Sequence, residues 1–255
     1  MDIATIIGLC LGFGAIIGGA ALEGLHLTAL IQPTAALIVL GGTFGAAFIS
    51  FPLSAVISAA KDMKKVLMPS KENPEKVIKD LIGYAAKARR NGLISLEQEA
   101  QSVKDPFTKK GISLVVDGID PQKLRETLEI EIAYYEEHAK MSAEFFEAAG
   151  GYAPTIGIIG AVLGLIHVMG NLSDSSKLGA GIAVAFVATI YGLLTANIVC
   201  LPFGTKIKHA IKEELICKNM IVEGLIAIQN GENPHFIEQK LKAFVQGHGE
   251  AKKEK

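Results

Sequence analysis

The chain has 255 residues, half of them apolar and a fifth charged, with a formal net charge of −1. Three cysteines, an odd number lying far apart, argue against a disulfide framework or a metal cluster. Opposite charges are mixed within the same blocks, so the near-zero net charge by itself points to no partner, and none is expected to be nucleic acid.

In chain order, the apolar runs are Ile3–Ala21, Pro33–Ser58, Tyr152–Gly170 and Leu178–Phe203, and none contains an acidic residue, a lysine or an arginine. At ~1.5 Å rise per residue each is long enough for a ~30 Å hydrocarbon core. The first run lacks a basic leader and a small-residue cleavage site, so it reads as a retained span. Glycines four residues apart, Gly8/Gly12, Gly14/Gly18 and Gly41/Gly45, share helix faces and predict close helix packing in lipid. Gly157, Gly160 and Gly164, then Gly179, Ala183 and Gly192, continue that theme.

Residues 61–149 hold fifteen Lys/Arg and residues 204–255 hold nine, leaving Lys177 as the only other one. The positive-inside rule then places both charged blocks and both termini in the cytoplasm. The expected fold is an all-α integral membrane protein with four transmembrane helices. A helical cytoplasmic domain lies between spans two and three, and a helical tail follows span four. The expected divisions are residues 1–60, 61–149, 150–204 and 205–255. Pro69, Asn73-Pro74, Asn91-Gly92, Asp105-Pro106, Gly118 and Asp120-Pro121 punctuate the central block. Asp120 is a helix N-cap with Pro121 at the first helical position. From there the chain has no Gly or Pro until Gly150-Gly151, the only interruption before span three.

A chain that moves ions alone usually carries an ionisable group in the membrane, and these spans bring no carboxylate. If ions pass, a partner supplies the acid. Neither a nucleotide-binding glycine loop, zinc spacing nor a nucleophile elbow occurs, so no enzyme and no cofactor are expected.

Four stretches in order carry a resemblance over the whole chain. They are Arg89-Arg90-Asn91-Gly92-Leu93-Ile94-Ser95-Leu96-Glu97 with Pro106-Phe107; Ala153 through His167; Thr189-Ile190-Tyr191-Gly192; and Asn197 with Leu201-Pro202-Phe203. With the four-span layout, these resemble the MotA/PomA branch of the MotA/TolQ/ExbB ion-channel family, the flagellar stators. The resemblance implies a homopentamer in the lipid of the bacterial inner membrane, around a single-span MotB-like partner that carries the essential aspartate. It also implies torque on the rotor (switch) protein FliG, serving motility and chemotaxis. The alternatives are a TolQ/ExbB-type energy-transducing proton channel subunit and a non-conducting membrane scaffold. The N-terminal hairpin and the Arg89…Glu97 pattern favour the flagellar type.

Several residue roles follow from the same resemblance. Thr189 matches the hydroxyl beside the partner aspartate, although a membrane threonine also commonly bonds its own backbone one turn back. Ala161 stands where sodium-type members resemble Gly-Thr; without that oxygen, the ion is expected to be a proton. Pro154 and Pro202 match prolines that couple ion flow to movement, or else they simply start span three and end span four. Arg89 and Glu97 match rotor-binding charges, with Arg90 an adjacent alternative, whereas most such charges are only solvated. His167 invites a proton relay but lies near the outer end of its span, and Tyr191 is expected only to pack.

Overall fold

The computed structural model describes residues 3–67, 73–170 and 175–253. All regular structure among them is helical, with four helices long and apolar enough to cross a membrane. Pro69 and the outer turn at 171–174 lie outside the described residues. The chain forms two compact units, Met1–Ser70 with His138–His209, and Lys71–Glu137 with Ala210–Lys255.

In the first unit, α1 (Ile3–Leu22) buries no residue. It is half-buried on one side, where it packs on the helix at Leu53–Leu67 and Gly12 lies against Ile198, and its other sides are apolar and open, as suits lipid rather than water. It ends through Gly24 at φ +80°, with Leu25 N–H bonded back to Ala20 C=O at 3.0 Å. A 3₁₀ turn, Leu27–Leu30, leads to α2 (Pro33–Ala36), a π-helical segment Leu37–Gly41, and α3 (Gly42–Ser50).

The second apolar run is expected to continue to Ser58, but its helix ends at Ser50. Pro52 forces the residue before it out of helical geometry, and Phe51 sits extended at φ −126°, ψ 146°. A separate amphipathic helix, α4 (Leu53–Leu67), follows. Apolar content alone gives no sign of this break, because the proline is the only interruption.

The second unit begins with α5 (Pro74–Asn91), a 3₁₀ turn at Leu93–Leu96, α6 (Glu97–Ser102) and α7 (Pro106–Val116). The long α8 (Pro121–Met169) passes from this unit into the first, and no break occurs at Gly150-Gly151. After α9 (Ser175–Leu194) and a π-helical segment Thr195–Cys200, α10 (Leu201–Gln229) passes back into the second unit, followed by α11 (Pro234–Lys253).

Four helix starts in the second unit share one device, an Asx cap before a proline. Asn73 accepts from Glu75 N–H at 3.0 Å, Asp105 from Thr108 N–H at 2.7 Å, Asp120 from Gln122 N–H at 2.9 Å and Asn233 from His235 N–H at 3.0 Å. Leu81, Leu96, Ile112, Leu124, Leu128, Met220, Leu225, Ile237 and Leu241 form the core these helices enclose. Glu223 ties three of them, meeting Arg125 of α8 at 2.6 Å and Lys240 of α11 at 2.8 Å. Lys218, also on α10, lies over the rings of Phe107 and Tyr135 at 4.6 and 4.7 Å, cation–π contacts that hold its ammonium against the same layer.

Candidate functional site

Spans three and four meet backbone to backbone. A methyl group placed on Gly157 would lie 3.0 Å from the Ala188 carbonyl oxygen and 3.4 Å from Thr189 Cα. One on Gly160 would lie 2.7 Å from Ala188 Cβ, one on Gly164 2.9 Å from Ala185 N, and one on Gly192 2.5 Å from the Ala153 carbonyl oxygen. The small-residue spacing is therefore a packing seam, as expected for helices that associate without a hydrophobic drive between them. Ala35 and Val39 of the second span close against Val187 and Ala188 from another side.

Thr189 sits on this seam, half-buried, and its hydroxyl donates to Ala185 C=O at 3.3 Å. That bond occupies the hydroxyl's only proton and leaves the oxygen's lone pairs able to accept from water or to meet a cation. Ala161, also half-buried, follows Gly160, as Thr189 follows Ala188, so both candidates flank one contact between the two spans. Phe186, Leu193 and Asn197 fall at helical spacing with Thr189, and all three are exposed, Phe186 by 69%. This face of span four is one the chain does not cover by itself. Asn197 and Phe186, to which the sequence assigns no role, belong to it; their spacing from Thr189 is the signal. His167 is exposed near the end of α8, its ring edge beside Gly181, well along the span from Thr189.

Tyr191 does more than pack. Its hydroxyl donates to Leu30 C=O at 2.5 Å and accepts from Gln32 N–H at 3.4 Å. Leu30 closes the 3₁₀ turn and Gln32 caps α2, so both are helix-end groups whose backbone needs a partner from outside the helix. Nothing in the local sequence announces this, since the partners are some 160 residues away.

Pro154 and Pro202 neither start nor end a helix. Pro154 lies inside α8, and Pro202 follows the π-helical segment in a helical run that continues to Gln229. An interior proline lacks the N–H and crowds the carbonyl four residues back. For Pro154 that residue is Gly150; for Pro202 it is Ile198, within the π-helical segment, whose wider turn gives the ring room. The two positions come together, since a methyl on Gly150 would lie 2.7 Å from Leu201 Cδ2 and 3.4 Å from Cys200 Cβ. Around them runs a chain of ring contacts unmarked in the sequence. Phe48 and Phe51 each meet Phe145, at 6.2 and 5.7 Å, Phe145 meets Phe146 at 5.7 Å, and Phe146 meets Phe203 at 6.1 Å. Glu147 and Lys208 add an ion pair at 2.7 Å.

In the second unit, Arg89 and Arg90 occupy the last turn of α5 and Glu97 opens α6, where each charge also complements its helix dipole. Gly92, at φ +79°, and the 3₁₀ turn join the two helices; buried Ala88 and Leu96 anchor the turn, and Lys87 pairs with Glu99 at 2.7 Å across it. Arg89, Arg90 and Glu97 are all exposed and make no ion pair among the described residues. They are exposed charges on a turn fixed by buried residues.

Residues 6–92 match the family described as motility protein A N-terminal, and residues 99–220 match the MotA/TolQ/ExbB proton channel family. Motility protein A of Bacillus subtilis (strain 168) is 36% identical over 253 residues, which cover 96% of this chain and 91% of that protein. The structure of C. jejuni MotAB has a similar fold, with a TM-score of 0.91 at 34% identity and 96% of each chain covered. The flagellar MotAB stator complex from Bacillus subtilis gives 0.86 at 34% identity, with 97% of each chain covered.

Proposed function

We propose, for a chain that belongs to the MotA/TolQ/ExbB proton channel family, a role as the ion-driven stator subunit of a flagellar motor. The carrying observation is the Thr189 face of span four: a hydroxyl on an uncovered helix face, among apolar runs that hold no carboxylate. Such a half-site is completed by a MotB-like single-span partner bearing a membrane aspartate. The carboxylate takes up an ion at low dielectric, loses its charge, and releases the ion inward. Each charge crossing 100 mV yields about 2.3 kcal/mol of work.

Five copies around two partners would place five Thr189 faces about the partner helices, and successive ion transfers would turn the ring. Both termini and the second unit lie in the cytoplasm of a bacterial cell whose inner membrane holds the spans. Arg89 and Glu97 engage opposed charges on the rotor protein FliG. The ion is a proton, because Ala161 offers no oxygen to replace a sodium hydration shell. The chain's work is ion transfer and movement, with no covalent chemistry.

The test expresses the chain with an aspartate-bearing single-span partner in cells lacking their own stators, and records swimming and proton uptake. Swimming that survives Asp→Asn in the partner would overturn the reading, as would a lone oligomer of this chain in native mass spectrometry. Swimming that tracks external sodium at fixed proton-motive force would remove the proton assignment alone.

A further inference from the structure

We propose that α4 is a binding element for anionic phospholipid, lying along the cytoplasmic leaflet with its lysines on the headgroup phosphates. The break at Phe51–Pro52 ends the span and starts this helix, a separation that the unbroken apolar run conceals. One side of α4, Ala55 and Ala59, is buried against its own unit, where the helix packs on α1. Leu53, 73% exposed, Ile57, 47% exposed, and Ala60 fall on another side, four and then three residues apart.

That exposed side has no partner among the described residues, and two observations name what covers it. The first is continuity: the last turn of span two exposes Phe48 and Ile49, the latter by 90%, just before Leu53. A lipid-facing surface thus runs from the span onto α4. The second is charge. After its apolar first half, the sequence of α4 carries Lys61, Lys64 and Lys65 against the single Asp62, and the helical period sets Lys61 beside the Leu53–Ile57–Ala60 stripe and Lys64 in line with it. An apolar stripe bordered by lysines is the pattern of a helix that lies in the interface, its stems in the acyl boundary and its ammonium groups among phosphates. A zwitterionic surface would reward the stripe equally but not the lysines.

The inference rests on the membrane placement proposed above but not on torque, so its test reads lipid rather than movement. The full chain and its single-span partner are reconstituted in nanodiscs of equal parts phosphatidylglycerol and phosphatidylethanolamine. Native mass spectrometry then counts the lipids the complex retains. Phosphatidylglycerol is expected to be enriched, and the triple variant K61Q/K64Q/K65Q is expected to lower that enrichment at least about threefold. The variant K61R/K64R/K65R, which keeps the charge, retains it.

Equal enrichment in the glutamine variant and the native chain overturns the proposal. So does stripping of the lipid by millimolar glycerol phosphate, which would make α4 a site for free phosphate. Loss of enrichment in the arginine variant as well would show that the effect is not one of charge, and it too overturns the assignment. A complex that fails to drive swimming yet shows the expected lipid pattern refutes the stator reading and leaves this one standing.

Discussion

At the scale of single residues, Thr189 and Tyr191 show how differently two hydroxyls in one helix turn can act. Tyr191 is committed in both directions, giving its proton to Leu30 and accepting from Gln32, so its hydroxyl is engaged in holding the turn before α2. Thr189 gives its proton to the turn behind it and keeps its acceptor capacity. Valine at position 189 has nearly the same shape without the oxygen, whereas serine keeps the oxygen without the methyl. Thr189→Val is therefore expected to stop proton uptake and swimming while the complex still purifies intact, and Thr189→Ser to retain both. Flux measured in vesicles holding each variant checks this; a valine variant that conducts normally removes Thr189 from the pathway.

At the scale of elements, the spans were legible because burying charge in lipid is so costly that charge-free runs mark them plainly. The second span's end and the place of the prolines were not legible. Pro52 breaks a helix while Pro154 and Pro202 do not, and the difference lies in what stands four residues back: Gly150 before Pro154 and a π-helical turn before Pro202. Because Gly150 lies against Cys200 and Leu201, the two proline turns pack together and are expected to act as one joint rather than two. Pro154→Leu or Pro202→Leu restores an N–H and is expected to stiffen the joint, leaving assembly unchanged and abolishing torque. Normal swimming in either variant would count against coupling through that proline.

Glu223 permits a prediction in pH. Burial opposes its ionisation, but hydrogen bonds from Lys240 and Arg125 outweigh that and hold its carboxyl below the usual range. A depressed carboxylate stabilises the fold above the pKa of the unfolded chain and loses that contribution as pH falls through the folded value. Glu223→Gln should thus lower stability by about 1 kcal/mol at neutral pH, since the pair is only partly buried. The gap to the native protein should close below pH ~4. Melting of the solubilised complex across that range measures it; a gap that persists in acid would mean that packing, not charge, is lost.

At the scale of the whole molecule, the four spans and the need for a partner were readable because they depend on what is missing from the spans, and an absence survives any error in element boundaries. Side-chain contacts across long stretches of chain, such as Tyr191 with Leu30 and the phenylalanines from Phe48 to Phe203, leave no local mark and needed coordinates. The rotor contact lies between these cases. Arg89, Arg90 and Glu97 could be named from their pattern, yet the structure adds that all three are exposed and that none is ion-paired among the described residues. Exposed charges contribute little to affinity but set encounter and register well, and salt screens them. Reversal at Arg89 or Glu97 should accordingly leave the complex assembled and conducting while lowering torque, most clearly under load. Reversal of the opposing charge on the rotor should restore it, because the lost quantity is alignment rather than fold. If Arg90→Glu alone has that effect, the functional charge lies one residue along. Unchanged torque under high load in all three variants would make this turn an ordinary solvated surface.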